Sequence, residues 1–155
     1  MDREIDAIIE VAAQGPLDGV SLLGGEPFDQ ATALTQFVCA LRGRAPQLGV
    51  IVFTGYRVEN LRERLELEAL WGLVDTVIDG PFDATRREPA IGGRRYIGST
   101  NQRIVHLTDR YADPGLWRGP AAAELQIDSK GELTIHGEPA LTRSLRRSLL
   151  AAAGP

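Results

Sequence analysis

Gly19-Val20-Ser21-Leu22-Leu23-Gly24-Gly25-Glu26-Pro27 is the stretch that decides the fold. Residues 19–23 form a short apolar run of strand length. Two glycines close the run, and Pro27 opens a helix, where its missing N–H costs nothing. Helical patterns flank it on both sides. Before it, Ile5, Ile8, Ile9 and Ala12 recur at helical spacing until Gln14-Gly15-Pro16 stops them. After it, Leu34, Phe37, Val38 and Leu41 form a stripe that ends at residues 43–46. The unit then repeats. Residues 49–53 are a second apolar strand, followed by Thr54-Gly55-Tyr56 as a loop. Val58, Leu61 and Leu65 begin a third helix that runs to about Leu70, and residues 74–78 form a third strand ended by Asp79-Gly80-Pro81. Apolar strands alternating with helices predict an α/β fold with mostly parallel strands, its sheet covered on both faces.

Further along, residues 82–95 turn polar and rich in Gly, Pro and Arg, the pattern of a long loop. Residues 103–107 suit another strand. Leu125 and Ile127, then Leu133 and Ile135, alternate across Asp128-Ser129-Lys130-Gly131 and predict a hairpin. A short helix carrying Leu141, Leu145 and Leu149 is expected to close the chain. The division expected is residues 1–112 as the main α/β body and residues 113–155 as a small appendage of the same domain.

The chain has 155 residues, enough to bury roughly two-thirds of its unfolded surface without staples. Its net charge is −4, and no basic block is long enough to follow a phosphate backbone, which argues against nucleic acid as a partner. No apolar run approaches the roughly 20 residues needed to span a bilayer, and the N-terminus does not resemble a signal peptide. A cytoplasmic location is expected. One cysteine excludes a disulfide framework. Cys39, His106 and His136 are too few and too scattered for a metal site. Cys39 lies off the apolar stripe of its helix and is expected to be incidental.

Ligands of parallel α/β sheets gather at the carboxyl ends of the strands. Three such ends carry distinctive groups here: Gly24-Gly25-Glu26, Thr54-Gly55-Tyr56 and Asp79-Gly80-Pro81. The two glycines allow close backbone approach, and the carboxylate after them could receive an ammonium. The same residues also suit a tight strand-to-helix turn with an acid at the helix start. Asp79 and Thr54 have comparable structural roles available, in a turn and a loop. No nucleophile elbow, phosphate-binding loop or zinc-protease helix occurs. No catalytic residue and no metal ligand is assigned.

Taken together, residues 19–30, Val52-Phe53-Thr54-Gly55-Tyr56, Ile78-Asp79-Gly80-Pro81-Phe82 and Gly98-Ser99-Thr100-Asn101-Gln102-Arg103-Ile104 resemble the radical S-adenosylmethionine (SAM) proteins. They are most similar to the group that activates glycyl-radical enzymes and anaerobic ribonucleotide reductase. Ile97 stands where that group usually has arginine. The resemblance implies a partial (β/α) barrel of radical SAM type, with the hairpin and last helix appended. It implies that SAM, chelated to a 4Fe-4S cluster, yields a deoxyadenosyl radical that takes hydrogen from a glycine of a partner enzyme. It places Gly24, Gly25 and Glu26 around the methionyl amino group, with Thr54 and Asp79 toward the sulfonium or ribose.

In that family three cysteines of a C-x₃-C-x₂-C loop bind the cluster, after a strand that precedes the first helix found here. Neither is present in these residues, so the chain is expected to be inactive alone. An N-terminally shortened form of an activase, with oxidoreductase activity once the segment is restored, is the first expectation. A cluster-less SAM-binding or partner-binding module is the second, and an unrelated α/β protein the third. With no preceding strand, residues 19–23 would form an exposed sheet edge prone to self-association.

Overall fold

The computed structural model describes residues 2–15, 17–119 and 147, together with the backbone of residues 123–127 and 133–137. Helix α1 (Asp2–Gln14) starts with Asp2 and Glu4 in its first turn, where negative charge favours the helix dipole. Ile5 is fully buried, and Ile8, Ile9 and Ala12 pack against the core beside it. Strand β1 (Gly19–Leu22) follows, then a 3-10 turn (Pro27–Gln30) that leads into α2 (Ala31–Arg44). Leu34, Val38 and Leu41 of α2 are buried as their spacing predicts, while Cys39 is exposed.

Strands β2 (Gly49–Phe53), β3 (Thr76–Asp79) and β4 (Arg103–His106) complete an open sheet of order β1-β2-β3-β4. The β1–β2 and β2–β3 pairs are parallel, and β4 runs antiparallel to β3. The fold is therefore mixed α/β, with a mostly parallel sheet that does not close. Every residue of β3 is buried, as expected for a strand covered on both faces. The two outermost strands are only partly buried: Ser21 in β1, and Arg103 and His106 in β4, are exposed. The core holds Phe28, Val38, Leu41, Val50, Val52, Leu61, Leu67, Leu70 and Val77, each contributing roughly 1.5–3 kcal/mol by burial.

The third helix departs from the predicted pattern. It divides into α3 (Val58–Arg62) and a 3-10 turn (Leu65–Leu70), with Arg64 extended between them at φ −89° and ψ 106°. That break turns Leu65 outward, to 84% exposure, and leaves Leu67 and Leu70 fully buried. Apolar residues three apart suit the three-residue repeat of a 3-10 turn, which the assumed α-helical spacing misses.

At the amino ends of the strands, Gly19 and Gly49 stand opposite each other in register. The Tyr111 side chain lies against both, and a Cβ at either glycine would overlap its phenol. The phenol donates to the Asp18 carbonyl at 3.2 Å. Nearby, Asp75 is nearly buried and ties four segments together. Its carboxylate accepts from Val50 N at 2.8 Å, Arg42 Nη2 at 2.6 Å and Thr108 Oγ1 at 2.7 Å, with Arg110 Nε at 3.6 Å.

The chain divides into two units, Met1–Glu88 with Ile97–Pro114, and Pro89–Tyr96 with Gly115–Pro155. In the second, β5 (Ala123–Ile127) pairs antiparallel with β6 (Leu133–Gly137), Ile127 opposite Leu133, giving the hairpin that the alternation predicts. In the same unit Arg95 N donates to the Trp117 carbonyl at 2.8 Å. The predicted closing helix with Leu141, Leu145 and Leu149 lies outside the described residues.

Candidate functional site at the carboxyl ends of the strands

The turn after β1 needs its glycines. Gly24 and Gly25 have φ of +92° and +56°. A Cβ on Gly24 would meet nothing within 4 Å, so the backbone angle, not crowding, demands glycine there. The turn delivers Glu26 to the N-cap of the 3-10 turn Pro27–Gln30. One carboxylate oxygen, Oε1, accepts from Phe28 N at 3.2 Å and from Thr54 Oγ1 at 2.7 Å. The other, Oε2, accepts from Gly55 N at 2.9 Å. A carboxylate offers about four acceptor positions, so one on Oε2 stays open among the described residues. Thr54, only 5% exposed, also accepts from Tyr56 N at 3.1 Å. Gly24, Gly25, Glu26 and Thr54 thus form one group across the ends of β1 and β2.

Asp79 has a different setting. It is completely buried, and all four acceptor positions are filled. Oδ1 accepts from Arg57 Nη1 at 3.2 Å and Arg103 Nε at 2.9 Å, and Oδ2 from Val58 N at 3.0 Å and from Arg103 Nη2. Burial alone would raise its pKa. The hydrogen bonds from Arg103 and Val58, and the charges of Arg103 and Arg57, outweigh burial and hold the carboxyl below the usual carboxylate range. Arg103 also reaches Glu59 Oε2 at 2.7 Å. Its guanidinium pKa is raised, chiefly by the hydrogen bonds to Asp79 and Glu59.

The stretch from Gly98 to Arg103 pins the end of β3. Gln102 Oε1 accepts from the N–H groups of Gly98 and Ser99, both at 3.1 Å, while Gln102 Nε2 donates to the Gly80 carbonyl at 3.2 Å. Asn101 Nδ2 donates to the Pro81 carbonyl at 2.6 Å, and Ser99 Oγ accepts from Asp83 N at 3.1 Å. Gly80, at φ +99°, leaves no room for a Cβ beside Arg57, and its N–H donates to the Tyr56 carbonyl at 2.9 Å. The four sequence stretches singled out above are therefore linked by hydrogen bonds along one edge of the sheet.

Sequence reasoning missed Arg57, Arg103 and Gln102 as the residues that hold this edge. A signal for the arginines existed, because a fully buried aspartate requires countercharges. Among the described residues no group of three His, Cys, Asp or Glu side chains could hold a metal ion. His106 Nδ1 lies 3.0 Å from the Thr76 hydroxyl. No helix among these residues is long and apolar enough to cross a membrane.

The amino-acid sequence that builds this sheet and its glycine-turned carboxylate matches a known family. Residues 1–105 fit the 4Fe-4S single cluster domain, and the chain belongs to that family. It is similar to the anaerobic ribonucleoside-triphosphate reductase-activating protein of Pasteurella multocida, with 29% identity over 92 residues, 58% of this chain and 56% of the relative. The protein of the same name from Enterobacteria phage T4 is 28% identical over 104 residues, 66% of this chain and 58% of the relative. The matched stretch thus spans less than two-thirds of either relative. No solved structure matches the chain.

The residues present do not fit a four-iron cluster. Such clusters take their protein ligands mainly as cysteine thiolates. The chain has one cysteine, Cys39, exposed on α2.

Proposed function

We propose that the chain is the SAM-holding part of a radical SAM activating protein, built as a partial (β/α) barrel. Its partner in this proposal is anaerobic ribonucleotide reductase or another glycyl-radical enzyme. The family membership and the two activating-protein relatives support the activase class. Three successive parallel strands, with α2 and α3 between them, support the barrel type.

One observation carries the assignment of the site: the Glu26 carboxylate is fixed across two strand ends with an acceptor position left over. Hydrogen bonds from Phe28 N, Thr54 and Gly55 N aim it in advance. Open space beside Gly24 lets a ligand approach the backbone. An ammonium at Oε2 would form a charge-assisted bond, worth about 1.5–3 kcal/mol. The methionyl amino group of SAM suits that position, with Thr54 toward the sulfonium or ribose. Asp79, with no acceptor to spare, serves by fixing the end of β3. The single exposed Cys39 cannot hold a 4Fe-4S cluster, so the proposal assigns these residues the SAM cradle alone.

The lone exposed Cys39 favours a second proposal for the chain as it stands, a cluster-less SAM-binding or partner-binding module. Self-association belongs to either proposal: β1 is the last strand of its sheet, and Gly19-Val20-Ser21-Leu22 has no charge or proline to guard the edge. Light scattering that shows a monomer at every concentration would remove it. Calorimetric titration with SAM tests the site. Wild-type protein is expected to bind, and Glu26→Ala to lose at least about tenfold in affinity, the equivalent of one charge-assisted bond. Equal binding by both proteins would sink the assignment.

A further inference from the structure

A second tie crosses the same two strand ends beside the Glu26 contacts. The Tyr56 phenol donates to the Asp29 carboxylate, at 3.0 Å to Oδ1 and 3.2 Å to Oδ2. Asp29 is in the 3-10 turn that Glu26 caps, three residues beyond the carboxylate. Tyr56 is itself held from two sides. Its N–H donates to the Thr54 hydroxyl at 3.1 Å, and its carbonyl accepts from Gly80 N at 2.9 Å. The ring therefore extends from a backbone anchored to both β2 and β3 and reaches back to the loop after β1. The Asp29 hydrogen bond, and then its charge, raise the phenol pKa, so the proton stays on the tyrosine through the neutral range. Arg64 Nη1, 3.4 Å from Asp29, adds a weaker hold on the same carboxylate.

The loop that Tyr56 reaches has little else to fix it. Residues 23–25 are exposed, and no heavy atom lies within 4 Å of where a Gly24 Cβ would be. Below Glu26 the buried Phe28 anchors the turn in the core, and its N–H holds Oε1 at 3.2 Å. The lateral contacts are Glu26 with Thr54 and Gly55, and Asp29 with Tyr56. The first pair uses the very carboxylate assigned to the ligand. The second does not use it, and Arg64 reinforces that second pair through the same Asp29 carboxylate.

We infer that Tyr56 is a positioning residue: through Asp29 it holds the Glu26 turn against the end of β2, so that the open acceptor of Oε2 keeps its direction when a ligand cation arrives. The inference rests on the SAM-cradle proposal for its ligand, but its geometry can be read without one.

The test uses the full chain and two measurements. The first is calorimetry with SAM. Tyr56→Phe, which removes only the hydroxyl, is expected to weaken binding about three- to tenfold, the range for one hydrogen bond. Asp29→Ala is expected to do the same, Asp29→Asn to keep most of the affinity because its amide oxygen still accepts, and the Tyr56→Phe/Asp29→Ala pair to add nothing further. The second is the ligand-free amide NMR signal of Gly55, whose N–H donates to Glu26 Oε2. It is expected to move in Tyr56→Phe and return toward wild type in no variant that lacks the tie. Wild-type protein that fails to bind SAM overturns the cradle proposal, and the Gly55 signal then decides the tie alone. SAM binding that Tyr56→Phe leaves unchanged, together with an unmoved Gly55 signal, overturns the positioning role while the cradle stands.

Discussion

Replacing Asp79 with asparagine removes a charge from the most enclosed ionic site in the described chain while keeping the side chain's shape. Four donors converge on the carboxylate, two from Arg103, one from Arg57 and one from the N–H of Val58 at the start of α3. An asparagine has one oxygen, so its amide nitrogen must face at least one donor. Removing one partner of a fully buried ion pair costs about 3–5 kcal/mol. Here the arginines are 38% and 44% exposed, so water recovers part of their solvation, which brings the expected loss to about 2–3 kcal/mol. For a chain of this size that corresponds to a fall in Tm of roughly 4–12 °C. Urea and thermal unfolding near pH 7 provide the measurement. Acid adds an independent check with a definite sign. The folded-state pKa of Asp79 is depressed, so its stabilisation is complete above the unfolded value of about 3.9 and is lost as pH falls through the lower folded value. The gap between wild type and Asp79→Asn should therefore narrow below about pH 4. Asp75, also depressed but against burial by Arg42, Thr108 and Val50, is common to both proteins and cancels. A gap under about 1 kcal/mol at neutral pH, or one that does not change with acid, would refute the reasoning.

Two other outcomes follow from the same coordinates. Gly49→Ala places a Cβ into the Tyr111 ring and is expected to cost about 1–3 kcal/mol; in a Tyr111→Ala background the same change should cost much less, which denaturation of the four proteins will show. Anaerobic incubation with ferrous iron and sulfide is expected to leave the 155-residue chain without stoichiometric iron, and Cys39→Ser should behave identically. Four irons per chain, measured colorimetrically after desalting, would show that the donor set has been misjudged.

The parallel core was legible because its signals are local. Residues 19–22, 49–53 and 76–78 are mostly apolar and each is followed within two residues by a glycine, and burial of every residue of β3 leaves that strand no exposed face. The split of the third helix was not legible, because Leu61 and Leu65 suit an α-helix by spacing. Only the burial of Leu67 and Leu70 shows that the turn tightened. At the site, glycines before an acid indicated a sharp turn bearing a carboxylate, and the Glu26 loop has that form. The partners were hidden because they are distant in the chain: Thr54 is 28 residues from Glu26, and Arg103 is 24 from Asp79. Residue type says that a buried aspartate needs cations. It does not say which ones.

The two carboxylates at the sheet's mouth show how one edge can be both rigid and receptive. Asp79 has spent every acceptor on protein donors, and through Arg57, Val58 and Arg103 it locks α3 and β4 to the end of β3. That rigidity passes along the edge, since Gly80 N holds the Tyr56 carbonyl and Tyr56 N holds the Thr54 hydroxyl. Thr54 then donates to Glu26, which has one position still open. A preorganised acceptor needs no reorganisation when its ligand binds, so the full strength of the charge-assisted bond goes into affinity. None of these links uses a thiolate. In the proposed cradle, the carboxylate that would orient an ammonium is held by the chain's own hydrogen bonds.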